Sequence, residues 1–208
     1  MGRVHVVKEG EHVPRIAAGY GIGDYAVVWN DPNNAELSQS RDPCVLRPGD
    51  QLFIPDVPPL EFQLPTGRSH RIVIKRPKVR LRLVLQDSSG RPLANVACQL
   101  KSERASFDLM LDGDGKLDQQ IPVDSERCTL VLPDRELSLL VGHLTPNDDP
   151  AGWRARLNNL GYEAGSSDDE EDPQLRSAIE EFQCDNGLAV TGSCDASTQA
   201  KLLELHGS

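Results

Sequence analysis

The sequence lacks the features that would mark it as an enzyme with a metal centre, a disulfide scaffold or a membrane protein. Its five histidines, His5, His12, His70, His143 and His206, fall in different predicted elements, and neither H-x-H nor H-E-x-x-H occurs. A hydrolytic metal site needs clustered His, Asp or Cys donors around an activated water, so no metal and no cofactor are expected. No Cys/His constellation for nucleophilic catalysis is visible. Five cysteines, Cys44, Cys98, Cys128, Cys184 and Cys194, are odd in number, irregular in spacing and without a C-x-x-C, which argues against a disulfide framework. Cys98 with Cys128 across a sheet, and Cys184 with Cys194 around a tight turn, are the two conceivable pairs; reduced thiols are the alternative. No apolar run reaches membrane-spanning length, and no basic stretch followed by an apolar one opens the chain. The expectation is a chain that starts in the cytoplasm and is not inserted in a membrane.

Charge is unevenly placed along the 208 residues. Lys and Arg number 5 against 8 Asp and Glu in residues 1–56, 13 against 11 in 57–146, and 4 against 13 in 147–208. A C-terminal segment this acidic repels nucleic acid and anionic lipid. It leaves a neutral ligand unhindered.

Residues 1–57 alternate strand and helix signals. Val4 and Val6 suggest a short strand up to Lys8, and Glu9-Gly10-Glu11 a turn. Val13, Ile16, Ala17 and Tyr20 recur at helical spacing, with Pro14 in the first turn and Gly19 and Gly21 at the end. Asp24 is positioned to cap a second helix through Ala26, Val27 and Trp29, which Asn30-Asp31-Pro32-Asn33-Asn34 then breaks. Arg47-Pro48-Gly49-Asp50 turns into a strand over Gln51 to Ile54.

That order, with Val7, Gly10, Glu11, Ile16, Ala17, Tyr20, Gly21, Trp29, Asn30, Pro48, Gly49, Leu52, Ile54 and Pro55 in place, resembles the LysM family. The resemblance implies a βααβ module that binds N-acetylglucosamine-containing polymers such as peptidoglycan or chitin. It implies a sugar lying across two loops, Gly10, Glu11, His12 and Val13 in one and Asn30, Asp31, Pro32 and Asn33 in the other. His12 departs from the family's Thr or Ser, and Ser38 to Val45 lengthens the last connection. The lengthened form resembles LysM modules that accompany spike components of contractile injection machines, type VI secretion among them. A spike or effector protein is the alternative partner. For a wall ligand, the missing leader implies export by another machine, release on lysis, or a leader already removed.

Pro55-Asp56-Val57-Pro58-Pro59 and the residues to 69 form a proline-rich linker. From Ile72 the period becomes two. Val79, Leu81, Leu83 and Leu85 share one face and Arg80 and Arg82 the other; Ala94 to Leu100, Cys128 to Leu132 and Leu137 to Val141 repeat the pattern. Asp87 to Pro92 and Asp112 to Gly115 are turn sequences. Residues 70–146 are therefore expected to form an antiparallel β-sandwich, and Q-D-S-S-G-R-P-L-A-N-V-A-C-Q-L with L-D-G-D-G-K-L resembles bacterial Ig-like and carboxypeptidase-regulatory-like spacer domains. The basic run Arg68, Arg71, Lys75, Arg76, Lys78, Arg80 and Arg82 reads as a solvated strand face or a dock for an acidic partner. Asp112, Asp114 and Asp118 match three positions of a calcium loop, but Lys116 and Val123 occupy others, so the segment reads as a hairpin turn.

In residues 147–208, Asp149-Pro150 opens a helix with Trp153, Leu157 and Leu160 on one face. Asp172-Pro173 opens a second with Leu175, Ala178, Ile179 and Phe182, and a third starts near Asp195 with Thr198, Leu202 and Leu205 inward. L-N-N-L-G-Y, A-I-E-E-F-Q-C-D-N-G-L-A-V-T-G and T-Q-A-K-L resemble the peptidoglycan-binding domain found beside wall hydrolases. Gly165 to Asp172 departs from that family and reads as a solvated acidic loop or a cation site. The whole is an α+β multidomain chain of a βααβ module, a sandwich and a three-helix domain. Binding and spacer modules account for every recognisable segment, so it is predicted to be a non-catalytic wall-binding protein using both ends bivalently, with peptidoglycan as partner.

Overall fold

The computed structural model describes residues 2–58, 61, 63–71, 77–167 and 172–207. It is a mixed α/β structure with six helices and several antiparallel sheets among those residues, in two compact units, Met1–His143 and Leu144–Ser208. No described helix is long and apolar enough to cross a membrane. Lys75, Arg76 and the strand start at Ile72 lie outside the described residues, as does the acidic run 168–171.

In Met1–His143 the strands β1 (Arg3–Val6) and β2 (Gln51–Ile54) pair antiparallel, Arg3 opposite Ile54 and Val6 opposite Gln51. Between them come α1 (Val13–Gly19), α2 (Ala26–Trp29), a 3-10 turn (Pro32–Asn34) and α3 (Ala35–Ser40). Helix α3 is an addition to the expected order, since it takes up the start of the stretch read as connecting loop. Val7, Val13, Ile16, Ala17, Val28, Leu52 and Ile54 close over one another as the core. Tyr20, expected on the apolar stripe, is instead the C-cap of α1 and 38% exposed. The helix ends one residue before it, so its ring leaves the buried face.

Two buried polar side chains hold this small core in register. The Asn34 amide donates to the carbonyls of Val28 (2.7 Å) and Phe53 (2.8 Å), and its Oδ1 accepts from the Phe53 N–H (2.7 Å). The 3-10 turn is thereby tied to both α2 and β2. His12 caps α1, its Nδ1 accepting from the Arg15 N–H, while its Nε2 is buried without a hydrogen-bond partner among the described residues. Burial, followed by the nearby Arg15 charge, pushes the His12 pKa down to about 4 against a weaker opposing effect of Glu11.

The remaining strands form two antiparallel sheets. Strands β3 (Lys78–Val84) and β6 (Lys116–Pro122) pair over their full length, and β4 (Ala97–Ser102), β5 (Ser106–Met110), β7 (Arg127–Val131) and β8 (Glu136–Leu140) form a sheet of order β5-β4-β7-β8. Leu100, Leu117, Ile121, Cys128 and Leu130 from both sheets share one buried cluster, with Leu81, Leu83 and Leu139 packed on it. Arg80 and Arg82 face outward beside Asp118, at 3.2 and 3.7 Å. Asp112 accepts the N–H groups of Asp114 and Lys116, but the turn is no hairpin: it joins β5 of one sheet to β6 of the other. Among the described residues no group of three or more His, Cys, Asp or Glu is placed to hold a metal.

All five cysteines are free thiols. The ladder sets Ser102 opposite Cys128, so Cys98 is four positions further along β4. At about 3.3 Å per residue that is well beyond the roughly 7 Å that a disulfide tolerates between Cα atoms, which rules out this pair.

In Leu144–Ser208 the helices α4 (Pro150–Asn159), α5 (Pro173–Asp185) and α6 (Ala196–His206) each begin after an aspartate. Asp149, Asp172 and Asp195 accept the N–H groups of Gly152, Gln174 and Thr198 in turn. Leu157, Leu175, Ile179, Phe182 and Leu202 form the core. Arg156, 1% exposed, is also inside, donating to the carbonyls of Thr145 and Gly152, both at 2.9 Å.

Two predictions follow from the buried polar groups. Replacing Asn34 by Ala leaves the Phe53 N–H and carbonyl without their side-chain partner and the Val28 carbonyl with only the Asp31 N–H, and chemical denaturation should show a loss of about 2–4 kcal/mol. His12 accepts a proton below about pH 6.5 in the unfolded chain but only near pH 4 when folded. The unfolded state therefore binds the extra proton in that window, so stability is full above pH 6.5 and falls as pH drops towards 4. His12→Thr, which keeps a capping oxygen, should flatten the decline between pH 6.5 and 5 in denaturation midpoints.

Candidate functional site

A groove of about 270 Å3 lies on the Leu144–Ser208 unit. The Trp153 side chain, Leu175 and Ile179 supply its apolar surface, and Arg176, Ser193 and Asp195 its polar edge. These groups meet because α4 presents Trp153, α5 presents Leu175, Arg176 and Ile179 one turn apart, and the turn before α6 brings Gly192 to Asp195 alongside. Trp153 is half-buried and its indole N–H donates to the Asn147 carbonyl at 2.9 Å. The polar edge of the ring is thereby satisfied, leaving its apolar surface to line the groove.

The lip of the groove is set by Gln183, which is fully buried. Its Oε1 accepts from the N–H groups of Thr191 (2.8 Å) and Gly192 (3.1 Å). Its amide nitrogen lies 2.9 Å from the Ser193 carbonyl, 2.9 Å from the Thr198 hydroxyl and 3.1 Å from that of Thr191. One side chain thus fixes a three-residue turn from inside. Gly192 has φ +69°, and a Cβ there would stand 2.6 Å from Glu180 Oε1 and 2.9 Å from Arg176 Nε. Glycine suits this left-handed backbone, and a side chain there would push aside the Arg176–Glu180 ion pair, 3.0 Å long, that lies over it.

The chemistry available here is that of binding. Burial, with Asp195 adding to it, pushes the Cys194 thiol up to about 12, so it stays protonated and unreactive at neutral pH. The Asp195 carboxyl is held below the usual carboxylate range by hydrogen bonds from Ser197 and Thr198, which keeps it charged as a helix cap and a groove edge. The arrangement offers an aromatic and aliphatic surface with a cation, a carboxylate and a hydroxyl around it, a combination suited to a ligand with both apolar and hydroxylated faces.

The residues expected on the two loops of the first unit have unequal surroundings. His12 and Val13 are buried, and the Val13 N–H donates to the Pro43 carbonyl at 2.9 Å. Glu11 is turned towards β1, its Oε2 accepting from the Lys8 N–H and lying 2.7 Å from His5 Nε2. Gly10 is covered by the chain leaving β8: a Cβ on Gly142, φ +84°, would stand 2.7 Å from the Gly10 carbonyl oxygen, and a Cβ on Gly10 would stand 2.8 Å from the His143 ring. Asn30, Pro32 and Asn33 are exposed, with Asp31 between them accepting the Asn33 N–H. Sequence reasoning placed Trp153 and Ile179 as core and passed over Arg176, Ser193 and Gln183 as site formers. The T-G turn followed by an aspartate cap was the one local signal for that lip.

Gln183→Leu should remove the two hydrogen bonds its Oε1 accepts and those its NH2 group donates, and leave the Thr191 and Gly192 N–H groups unpaired. The expected loss is about 2–4 kcal/mol of stability, read by denaturation, with new hydrogen exchange at Thr191 and Gly192.

Residues 153–202 match the family model of the peptidoglycan binding domain, so the groove sits wholly within the matched segment. No curated protein and no solved structure matches the chain. Over these residues the C-terminal region is similar to a domain described as peptidoglycan-binding.

Proposed function

We propose that this chain is a non-catalytic peptidoglycan-binding protein whose C-terminal groove, centred on Trp153 and Arg176, makes the wall contact, with a second contact supplied by the Met1–His143 unit. The observation that carries the reading is the coincidence of the family match over 153–202 with a groove lined by an aromatic ring, two buried aliphatic residues and the exposed Arg176. A pyranose ring offers C–H groups to the indole and hydroxyls to Arg176, Ser193 and Asp195. The matched domain needs no reacting group for this role. Two weak sites on one chain gain through effective concentration when both reach the same polymer. An acidic C-terminal segment is compatible with uncharged glycan and disfavours nucleic acid.

The test is co-sedimentation of the full chain with purified peptidoglycan sacculi at physiological salt. Arg176→Glu and Ser193→Arg alter exposed side chains on the polar edge and should leave the fold intact. Loss of a groove contact worth about 1–2 kcal/mol lowers affinity about tenfold, so each variant should pellet far less than the parent chain. If the parent chain fails to pellet, or if both variants pellet like it, the reading is wrong. A role as an adaptor of a contractile injection apparatus, binding a spike or effector protein, would then be the reading to pursue.

A further inference from the structure

Strand β3 is an open edge. Among the described residues it pairs with β6 alone, in a sheet of two strands packed on the sheet of four. The pairing runs without a slip from Lys78 opposite Pro122 to Val84 opposite Lys116, and β3 contains neither Gly nor Pro. Its far side therefore offers an unbroken row of backbone N–H and C=O groups to a further strand. We propose that this edge docks an acidic, extended peptide of another protein, which adds to the sheet as a third strand beside β3. The proposal stands independently of the wall-binding reading.

Two observations carry it. The first is an incomplete cover over the apolar core. Leu117 and Ile121 of β6 are buried, whereas Val79, Leu81 and Leu83 of β3 are only half-buried although they pack on the same cluster. Leu109 on β5 and Leu139 on β8, in the outer strands of the wider sheet, are half-buried as well. Among the described residues, a sheet of two strands is too narrow to cover a sheet of four. One more strand beside β3 would lay apolar side chains over Val79, Leu81 and Leu83 and remove that surface from water.

The second observation is charge. Lys78, Arg80 and Arg82 stand at alternate positions on the outer face, roughly 7 Å apart, and the β6 residues opposite them are Pro122, Gln120 and Asp118. One carboxylate thus faces three cations. Beside it the Arg80 and Arg82 side chains remain 52% and 73% exposed. This cationic stripe lies on a chain whose net charge is −10 at pH 7. A strand with a carboxylate at every second residue repeats at the same spacing and meets the stripe position by position.

The same features select against other occupants. A second copy of β3 would set cation against cation across the new pairing, which is unfavourable. A nucleic acid could meet the cations, but it brings no strand backbone to the edge and no apolar side chains to the leucines. An alternating acidic and apolar peptide supplies the backbone ladder, the carboxylates on one face and the apolar groups on the other.

The experiment titrates the full chain into a fluorescein-labelled octapeptide of alternating Glu and Val at low salt, read by anisotropy, with amide exchange recorded on the complex. Saturable binding and slowed exchange at alternate β3 amides are expected. The double variant Arg80→Gln with Arg82→Gln, which alters exposed side chains only, should bind about fivefold more weakly. Arg80→Glu with Arg82→Glu should instead favour the counterpart peptide of alternating Lys and Val. No binding, or undiminished binding by the Gln variant, overturns the proposal. So does equal binding of a peptide with the same residues in two blocks, or of a single-stranded oligonucleotide, because charge alone would then account for the attraction. Salt-sensitive self-association of the chain that the Gln variant abolishes also overturns it, and assigns the stripe to the acidic C-terminal unit of a second copy.

Discussion

The carboxamide of Gln183, sealed inside the C-terminal unit, is the interaction on which the candidate site depends. A unit of some 65 residues buries too little apolar surface to hold a loop by packing alone. Gln183 meets that difficulty by accepting from two backbone N–H groups and setting its NH2 group among the Ser193 carbonyl and the Thr191 and Thr198 hydroxyls. The turn from Thr191 to Ser193 is thereby fixed at the distance from α5 that leaves a groove beside Arg176 and Ile179. Asn34 does the equivalent work in the first unit, where its amide joins α2 to β2. In both places a polar residue that costs free energy to bury becomes the fastening of a small module once every hydrogen-bonding group is met.

The same logic explains what the sequence disclosed and what it withheld. Helix starts were legible because an aspartate cap acts on an N–H two or three residues away: Asp149, Asp172 and Asp195 do so. Strand faces were legible because a period of two is local, as in Leu81 and Leu83 against Arg80 and Arg82. Burial of Arg156 was not, since the carbonyls that receive it, Thr145 and Gly152, bear no sequence mark as acceptors. Tyr20 misled because helical spacing extends the stripe past the point where the backbone stops being helical. The Asp112 turn misled because a turn sequence does not state whether its two strands share a sheet. Of the C-terminal groove, Trp153 and Ile179 were visible only as apolar residues, and its lip depends on contacts between α5 and the turn that follows it.

The first unit shows how a recognisable local order can meet a particular tertiary setting. Gly10 lies against Gly142 and His143, Arg15 reaches Glu126, and His12 is enclosed. Each of these contacts ties the loop after β1 to the strands that follow, within one compact unit. The enclosed His12, whose Nε2 has no partner among the described residues, is the group expected to make the unit lose stability in mild acid, since burial holds its pKa down.

The central claim is that the C-terminal groove is where the wall polymer is held. The most direct measurement is amide chemical-shift mapping of the full chain titrated with soluble muropeptide oligomers released from peptidoglycan. Saturable shifts at the Trp153 indole, Arg176, Ile179 and the amides from Gly192 to Asp195 are the predicted result. Saturating shifts that leave those signals unmoved, or no shifts at any accessible concentration, would contradict it.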